Sequence, residues 1–219
     1  AGTKRYLTEP EPELNPVQQG LIDAFRQDYE AGHYQTYLLH GVTGSGKTEV
    51  YMHAMDVVLA QGRQVIMLIP EISLTFQTVM RFRRHFGERI TILNSRMSKG
   101  ERYDQFERIR KGEVDIVIGP RSALFAPFSN LGLIVIDEEH ESSYKSDNIP
   151  KYHARETAIK RADMNHASVI LGSATPSVSS YYQAEQGNYR LWKLTERVQK
   201  RSLPKVEIVD LREELQKGN

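Results

Sequence analysis

The feature that most constrains the fold of this chain is a glycine-rich segment between a short apolar run and a stretch with helical periodicity. The segment reads Gly41-Val42-Thr43-Gly44-Ser45-Gly46-Lys47-Thr48 and matches the pattern of a phosphate-binding loop. Glycines let the backbone wrap so closely that successive amide groups point at a phosphate, and the following helix adds the partial positive charge of its N-terminus. The segment therefore predicts a nucleotide site in which all eight of its residues contact the ligand.

Two side chains of this loop have specific expected roles. Lys47 is expected to bridge the β- and γ-phosphates, and the hydroxyl of Thr48 is expected to ligate magnesium. An ordinary glycine-rich turn is the alternative interpretation. The flanking strand and helix argue against it, because a phosphate-binding loop requires both.

A second acidic element completes the predicted nucleotide site. The apolar run Leu133–Ile136 ends in Asp137 and Glu138, so two carboxylates follow a predicted buried strand. Asp137 is expected to reach a magnesium-bound water, and Glu138 to polarise the water that attacks the γ-phosphate. Acidic residues are also common in turns after strands, and it is the pairing with the phosphate-binding loop that favours the catalytic interpretation.

Short apolar runs alternate with helical stretches along the chain. The predicted strands are Thr36–Leu39, Val65–Ile69, Ile90–Leu93, Ile116–Ile118, Leu133–Ile136 and Val169–Leu171, and the predicted helices are Glu49–Ala60, Leu74–Phe86, Gly100–Lys111 and Ala154–Ala162. This alternation predicts an α/β fold with a mostly parallel sheet and helices on both faces.

Composition limits the classes of protein that fit. The 219 residues carry 29 Lys and Arg against 28 Asp and Glu, so any nucleic-acid surface must be local. The chain has no cysteine, and no apolar run approaches the ~18 residues that cross a bilayer. We therefore expect a cytoplasmic protein without a membrane partner.

Longer strings indicate a family. Asp137-Glu138-Glu139-His140, together with Gly172-Ser173-Ala174-Thr175-Pro176 and the phosphate-binding loop, resembles the motif set of superfamily 2 helicases. The strings Ile69–Thr75, Gly119–Pro127, Asp137–Lys145 and Tyr152–Arg155 are similar to regions of the bacterial replication-restart helicases within that superfamily. The resemblance covers the chain from about Leu14 to its end.

The resemblance implies a RecA-like P-loop NTPase fold and a place for each part of the chain. Residues 1–13 would be a linker or a fragment boundary, residues 14–194 the first RecA-like helicase lobe, and residues 195–219 an exit segment toward a second lobe. The parent would be an ATP-hydrolysing 3′-to-5′ DNA helicase that remodels stalled replication forks and restarts replication by primosome assembly. The isolated lobe would be nearly inactive, because arginines of the second lobe complete the site.

The resemblance also implies residues that bind adenine or couple the sites. Gln18 resembles the adenine-reading glutamine of related helicases, with Gln19 as a competing assignment. His140, Ser173 and Thr175 would relay the state of the γ-phosphate. Tyr144 and Tyr152 would belong to an aromatic loop that couples DNA binding to hydrolysis, although such tyrosines can also simply pin a loop.

Predicted DNA contacts follow the strands that share an edge with the nucleotide site. They are the segment Ser73, Leu74 and Thr75 at a helix N-terminus, Arg121 as a phosphate clamp beside Ser122, and Lys145. For Arg121 a structural salt bridge is the alternative. Pro120 stands where the family commonly has Thr, which removes a hydroxyl and an amide donor, and Asn94 and Arg96 stand where His and Gly are common.

The implied ligands and partners follow from the same resemblance. They are ATP, magnesium, forked and single-stranded DNA, single-strand-binding protein and other primosome proteins, with zinc-binding cysteines located elsewhere in the parent. Two alternatives stay open: another superfamily 2 translocase that acts on duplex DNA or RNA, or a module that binds ATP and DNA without hydrolysis.

Overall fold

One sheet organises the chain. The computed structural model describes residues 13–138, 153–194 and 206–207. Its strands are β1 (Thr36–Gly41), β2 (Gln64–Leu68), β3 (Ile90–Ile92), β4 (Ile116–Gly119), β5 (Leu131–Ile136), β6 (Ser168–Ser173), β7 (Tyr189–Leu194) and β8 (Val206–Glu207). They lie in the order β3-β4-β2-β5-β6-β1-β7-β8. Strands β1 to β7 pair in parallel, and β8 pairs antiparallel with β7 at the edge.

Helices cover both faces of the sheet. They are α1 (Pro16–Glu30), α2 (Lys47–Ala60), α3 (Phe76–Phe86), α4 (Lys99–Arg110), α5 (Ala154–Asn165) and α6 (Val178–Glu185). Helices α1 to α3 contribute to the hydrophobic core on one face, and α4 to α6 pack on the other. The strands between them are buried on both sides, which explains their continuous apolar sequences.

The predicted α/β fold, with its mostly parallel sheet and helices on both faces, is confirmed. All six predicted strands and all four predicted helices occur, with ends shifted by at most three residues. Three further elements, α1, α6 and β7, were not among the predicted elements. In the segment 195–219, predicted to lead away from the lobe, residues 206–207 pair with β7.

The sheet topology places the two halves of the predicted nucleotide site close together. Strands β1 and β5, which precede the glycine-rich loop and the two carboxylates, are both neighbours of β6. Parallel strands end at one common edge, where open α/β sheets bind ligands. No helix in the described part of the chain is long and apolar enough to cross a membrane.

Arg63 bonds to several elements at the end of the sheet where the parallel strands begin. Its guanidinium donates to Tyr29 Oη (2.8 Å) and to the carbonyls of Leu131 (2.6 Å), Asn165 (2.9 Å) and His166 (2.9 Å). The last two carbonyls lie at the C-terminal end of α5, where helix carbonyls lack partners within the helix. One side chain therefore joins α1, β5 and α5 at a distance from the nucleotide site.

Replacing Arg63 with Ala is expected to lower the free energy of unfolding by about 2–3 kcal/mol, because charged hydrogen bonds to four acceptors are lost. For a domain of this size the melting temperature should fall by roughly 4–12 °C in a calorimetric scan. Arg26→Ala is the matched control, since Arg26 makes only an exposed pair with Asp23. Equal melting temperatures for the two variants would contradict the structural role of Arg63.

Candidate nucleotide-binding site

The glycine-rich loop turns sharply between β1 and α2. Gly44 and Gly46 have φ angles of 80° and 94°, in the left-handed region that favours glycine. Gly46 is the N-cap of α2, and Lys47 and Thr48 form the first turn of that helix. The backbone therefore adopts the loop conformation that the sequence pattern predicts, with the helix N-terminus facing the loop.

The start of the loop is closely packed. A Cβ atom on Gly41 would lie 2.5 Å from Ser45 Oγ, so no side chain fits there. Ser45 Oγ is buried and has no hydrogen-bond partner among the described residues. The start of the loop therefore encloses a buried hydroxyl, and Ser45 is not among the residues that line the cleft described below.

Lys47 points into the loop. Its Nζ donates to the carbonyl of Gly41 at 2.5 Å, lies 3.4 Å from the carbonyl of Val42, and is 3.9 Å from Glu138 Oε1. The side chain is largely buried, so its charge acts in a medium that screens weakly. A cation on α2 and a carboxylate after β5 therefore meet within one site.

Asp137 and Glu138 form the turn that follows β5. The Asp137 amide donates to the Leu68 carbonyl of β2 at 2.9 Å, which continues the sheet pairing to this residue. Burial raises the pKa of Asp137 above its usual range, and a hydrogen bond from Tyr51 opposes that shift. Glu138 has a φ angle of 50°, a left-handed conformation that costs a non-glycine residue about 1–3 kcal/mol and is concentrated at functional sites.

These groups line one cleft of about 490 Å³. The lining residues are Thr43, Gly44, Gly46, Lys47, Thr48, Glu49, Ser73, Arg81, Asp137 and Glu138. Hydroxyls, backbone amides and a cation suit a phosphate. The Thr48 hydroxyl and the Asp137 carboxylate line the same cleft, and oxygen ligands of this kind suit a hard divalent cation. The predicted residues thus fit magnesium and a nucleotide, and Arg81, which pairs with Glu49 at 2.6 Å, adds a cation that was not predicted.

Gln18 contacts the glycine-rich loop although 28 residues separate it from Gly46. Its Nε2 donates to the Gly46 carbonyl at 3.0 Å, and its Oε1 accepts from the Asn15 amide at 3.0 Å in a capping box that begins α1. Gln19 is exposed and bonds to Asp23. Of the two candidates, Gln18 alone contacts the loop, and its amide retains one N–H and one lone pair for an adenine.

The turn after β6 lies beside the glycine-rich loop. Ser173 is buried and pairs in register with His40, which directly precedes the loop, while Ser173 Oγ accepts from the Thr175 amide at 3.1 Å. His40 Nδ1 lies 2.7 Å from Tyr181 Oη on α6. Burial lowers the pKa of His40, so a neutral imidazole joins the loop to the helix that follows the turn.

Four predicted residues lie outside the described part of the chain. They are His140, Tyr144, Lys145 and Tyr152. Arg155, the last residue of the motif string Tyr152–Arg155, lies in the described part and donates to the hydroxyls of Ser177 (3.2 Å), Ser179 (3.0 Å) and Ser180 (2.8 Å). Arg155 thereby joins the start of α5 to the start of α6, a role that its motif string did not indicate.

The first predicted DNA-binding segment lies in the turn that precedes α3. The amides of Ser73 and Leu74 already donate, at 2.8 and 3.0 Å, to the carbonyls of Pro70 and Glu71 within a 3₁₀ turn. Those two amides therefore have partners within the turn, and contact of Ser73, Leu74 and Thr75 with DNA stays a prediction. Thr75 is the N-cap of α3, and its hydroxyl accepts from the Thr78 amide.

Arg121 and Ser122 lie in a second 3₁₀ turn, Arg121–Phe125, after β4. Both residues are half-buried, and the atoms Arg121 Nη1 and Ser122 Oγ are themselves buried. As the structure places it, the Ser122 hydroxyl does not face solvent, so a direct phosphate contact would require this turn to move. Contact of these residues with DNA stays a prediction.

Comparisons with known proteins agree with the fold and the site. A family model described as DEAD/DEAH box helicase matches residues 15–184. The chain is 50% identical over 212 residues to the replication restart protein PriA of Bacillus subtilis strain 168, covering 97% of this chain and 26% of that protein. The expected resemblance to replication-restart helicases is confirmed, and the chain spans about a quarter of that relative's length.

Two solved structures bear on the fold alone, because their sequence identities are low. RecG bound to a three-way DNA junction has a TM-score of 0.58 and 24% identity, over 82% of this chain and 23% of that chain. A DEAD box protein from Methanococcus jannaschii has a TM-score of 0.59 and 19% identity, over 82% of this chain and 49% of that chain. The predicted RecA-like fold is thereby confirmed.

Proposed function

The chain belongs to the DEAD/DEAH box helicase family, and on that premise we propose that it is the ATP-binding motor lobe of a 3′-to-5′ DNA helicase that restarts stalled replication forks. The observation that carries the proposal is the meeting of Lys47, Asp137 and Glu138 in one cleft. The 50% identity to a replication restart protein supports replication restart as the process. The motor would work in the bacterial cytoplasm, where replication forks are found.

ATP and magnesium have defined positions in this proposal. The amide groups of residues 41–48 and the Lys47 ammonium would hold the phosphates, Thr48 and Asp137 would hold magnesium, and Gln18 would contact adenine. Bound magnesium would neutralise charge that develops on the phosphates. Glu138, fixed in its left-handed turn, would orient water and accept its proton.

DNA would run along the sheet edge beside the cleft. Ser73, the last residue of the 3₁₀ turn, lines the nucleotide cleft, whereas Glu71 and Leu74 line a second cleft of about 570 Å³. The turn therefore borders both clefts. With Thr75, Arg121 and Ser122 this edge, together with Lys145, would contact forked or single-stranded DNA. Single-strand-binding protein and other primosome proteins would be partners of the whole protein.

Coupling of DNA binding to hydrolysis would pass through two elements near the cleft. The segment with Tyr144 and Tyr152 would sense DNA. His140 would relay the state of the γ-phosphate to the turn with Ser173 and Thr175. Arg155 is hydrogen-bonded to the start of α6, and His40 is hydrogen-bonded to Tyr181 on the same helix. These contacts support a structural connection between the two elements through α6. A link of this kind would transmit movement only if α6 has two positions.

Forked DNA is expected to stimulate ATP hydrolysis more than duplex DNA or RNA, measured as phosphate release from a chain that carries both motor lobes. The reason is that the proposed restart activity begins at forks, so fork binding should favour the closed, hydrolysing state. The control is Lys160→Ala, a charge change on the exposed surface of α5 that should leave the stimulation unchanged. Equal stimulation by duplex DNA or RNA would favour a different superfamily 2 translocase, and no hydrolysis with any nucleic acid would favour a non-hydrolysing module.

A further inference from the structure

Tyr51 is a fully buried residue of α2 whose hydroxyl reaches the nucleotide site. Its side chain is 0% exposed, and its Oη donates to Asp137 Oδ1 at 2.9 Å. Tyr51 lies four residues after Lys47 and three after Thr48, so the three side chains share one face of the helix. Helix α2 therefore contacts the predicted magnesium site both through Thr48 and, by way of Tyr51, through Asp137.

Gly172 on β6 leaves the space that the Tyr51 hydroxyl occupies. A Cβ atom on Gly172 would lie 1.5 Å from Tyr51 Oη and 2.6 Å from Tyr51 Cζ. The phenol head thus occupies the space that a side chain on β6 would fill. Because β6 pairs with both β1 and β5, the ring is held by the framework that carries the loop and the carboxylates.

Asp137 needs such a partner because its position alone does not fix its carboxylate. The residue follows the last sheet residue of β5, and its amide still pairs with Leu68. Its side chain can rotate about two bonds, and a carboxylate that accepts a hydrogen bond from a rigid donor keeps one orientation. Partners of this kind orient metal ligands, and their loss typically lowers metal affinity about 10- to 100-fold.

We propose that Tyr51 is a positioning residue, which holds the Asp137 carboxylate toward magnesium, and that Gly172 is required because the Tyr51 hydroxyl occupies its side-chain space. The inference rests on the proposed nucleotide site. It adds a residue that touches neither nucleotide nor magnesium and acts through Asp137. It also joins the magnesium site to the turn that starts at Gly172.

The test is the magnesium dependence of nucleotide binding to the chain. Fluorescence of N-methylanthraniloyl-ADP is followed while magnesium is titrated, for the wild-type chain and for Tyr51→Phe. The magnesium concentration at half-maximal binding should rise about tenfold in the variant. Nucleotide affinity in EDTA should stay within about twofold, because the proposed role of Tyr51 concerns magnesium alone.

Tyr37→Phe is a matched control that separates positioning from general stability. Tyr37 is also 0% exposed and also donates its hydroxyl to a carboxylate, Asp28 Oδ2, at 2.8 Å, but on β1 and α1 away from the cleft. The Tyr37→Phe variant should lose about as much stability as Tyr51→Phe, but its magnesium concentration at half-maximal binding should equal that of the wild-type chain. In an Asp137→Asn background, Tyr51→Phe should have no further effect on the midpoint.

The outcomes are distinguishable. A wild-type midpoint in Tyr51→Phe, or an equal shift in Tyr37→Phe, would overturn the positioning role while leaving the proposed nucleotide site intact. An undiminished effect of Tyr51→Phe in the Asp137→Asn background would also overturn it. Absence of magnesium-dependent binding in the wild-type chain would overturn the proposed function itself, and the inference with it.

Discussion

Replacing Lys47 with Ala is expected to lower the affinity of the chain for magnesium–ATP by about 10²- to 10⁴-fold. The ammonium would make one charged hydrogen bond to each of two phosphates, each worth about 1.5–3 kcal/mol, and about 1.4 kcal/mol corresponds to a factor of ten. Its largely buried position strengthens these contacts, because little water screens them. Isothermal titration calorimetry measures the affinity directly.

The control for this variant must separate binding from folding. Lys47 Nζ also donates to the Gly41 carbonyl, so a thermal scan should establish that Lys47→Ala still folds. Lys160→Ala makes the same change of charge on the exposed surface of α5 and should bind magnesium–ATP like the wild-type chain. Undiminished affinity in a folded Lys47→Ala chain would reject the assignment of the phosphate-binding loop.

The sequence was sufficient for the parts of the site that depend on local patterns. Gly44, Gly46 and Lys47 follow each other along the chain, and the backbone there has little choice once glycine occupies the positive-φ positions. Asp137 ends a buried apolar run, so its place at the carboxyl edge of a parallel sheet follows from strand polarity. The cleft that unites them could therefore be predicted without coordinates.

Contacts between distant segments could not be predicted in the same way. Tyr51 has the spacing of an ordinary core residue of α2, and only the tertiary fold brings its hydroxyl to Asp137 and to the space beside Gly172. The one sequence feature that indicated a position near the site was its spacing of four residues from Lys47, which places both side chains on one face of the helix. Likewise, Asn15 and Gln18 have the spacing of a capping box, but nothing local to Gln18 indicates that its amide also contacts Gly46.

Strand β7 and the turn after β2 show why local patterns fail. The sequence of β7 mixes Arg190 and Lys193 with Leu191 and Trp192, and these two apolar residues are buried in a strand that pairs with β1. The segment Ser73, Leu74 and Thr75 was expected at a helix N-terminus, where only Thr75, the N-cap of α3, lies; the Ser73 and Leu74 amides belong to the preceding 3₁₀ turn. A 3₁₀ hydrogen bond satisfies each of these two amides, since local turns compete with helix ends for the same donors.

The 219-residue chain alone is expected to hydrolyse ATP about 10³- to 10⁵-fold more slowly than a chain that carries both motor lobes. In superfamily 2 motors, arginines from the second lobe stabilise charge on the transferring phosphoryl group. The cations that line the cleft in the described part of this chain are Lys47 and Arg81, and Arg81 is paired with Glu49 at 2.6 Å. We therefore expect the lobe to bind magnesium–ATP weakly and not to turn it over.

Single-turnover phosphate release, with saturating ATP and with and without forked DNA, measures this difference. Glu138→Gln is the control in both chains, because it should retain bound magnesium–ATP while removing the carboxylate that orients water, a contribution of about 10²-fold or more. In the two-lobe chain this variant should be slow, and in the single lobe it should change little. Rapid, DNA-stimulated hydrolysis by the single lobe, abolished by Glu138→Gln so that a contaminating ATPase is excluded, would contradict the need for a second lobe and place the complete catalytic machinery in the cleft around Lys47 and Glu138.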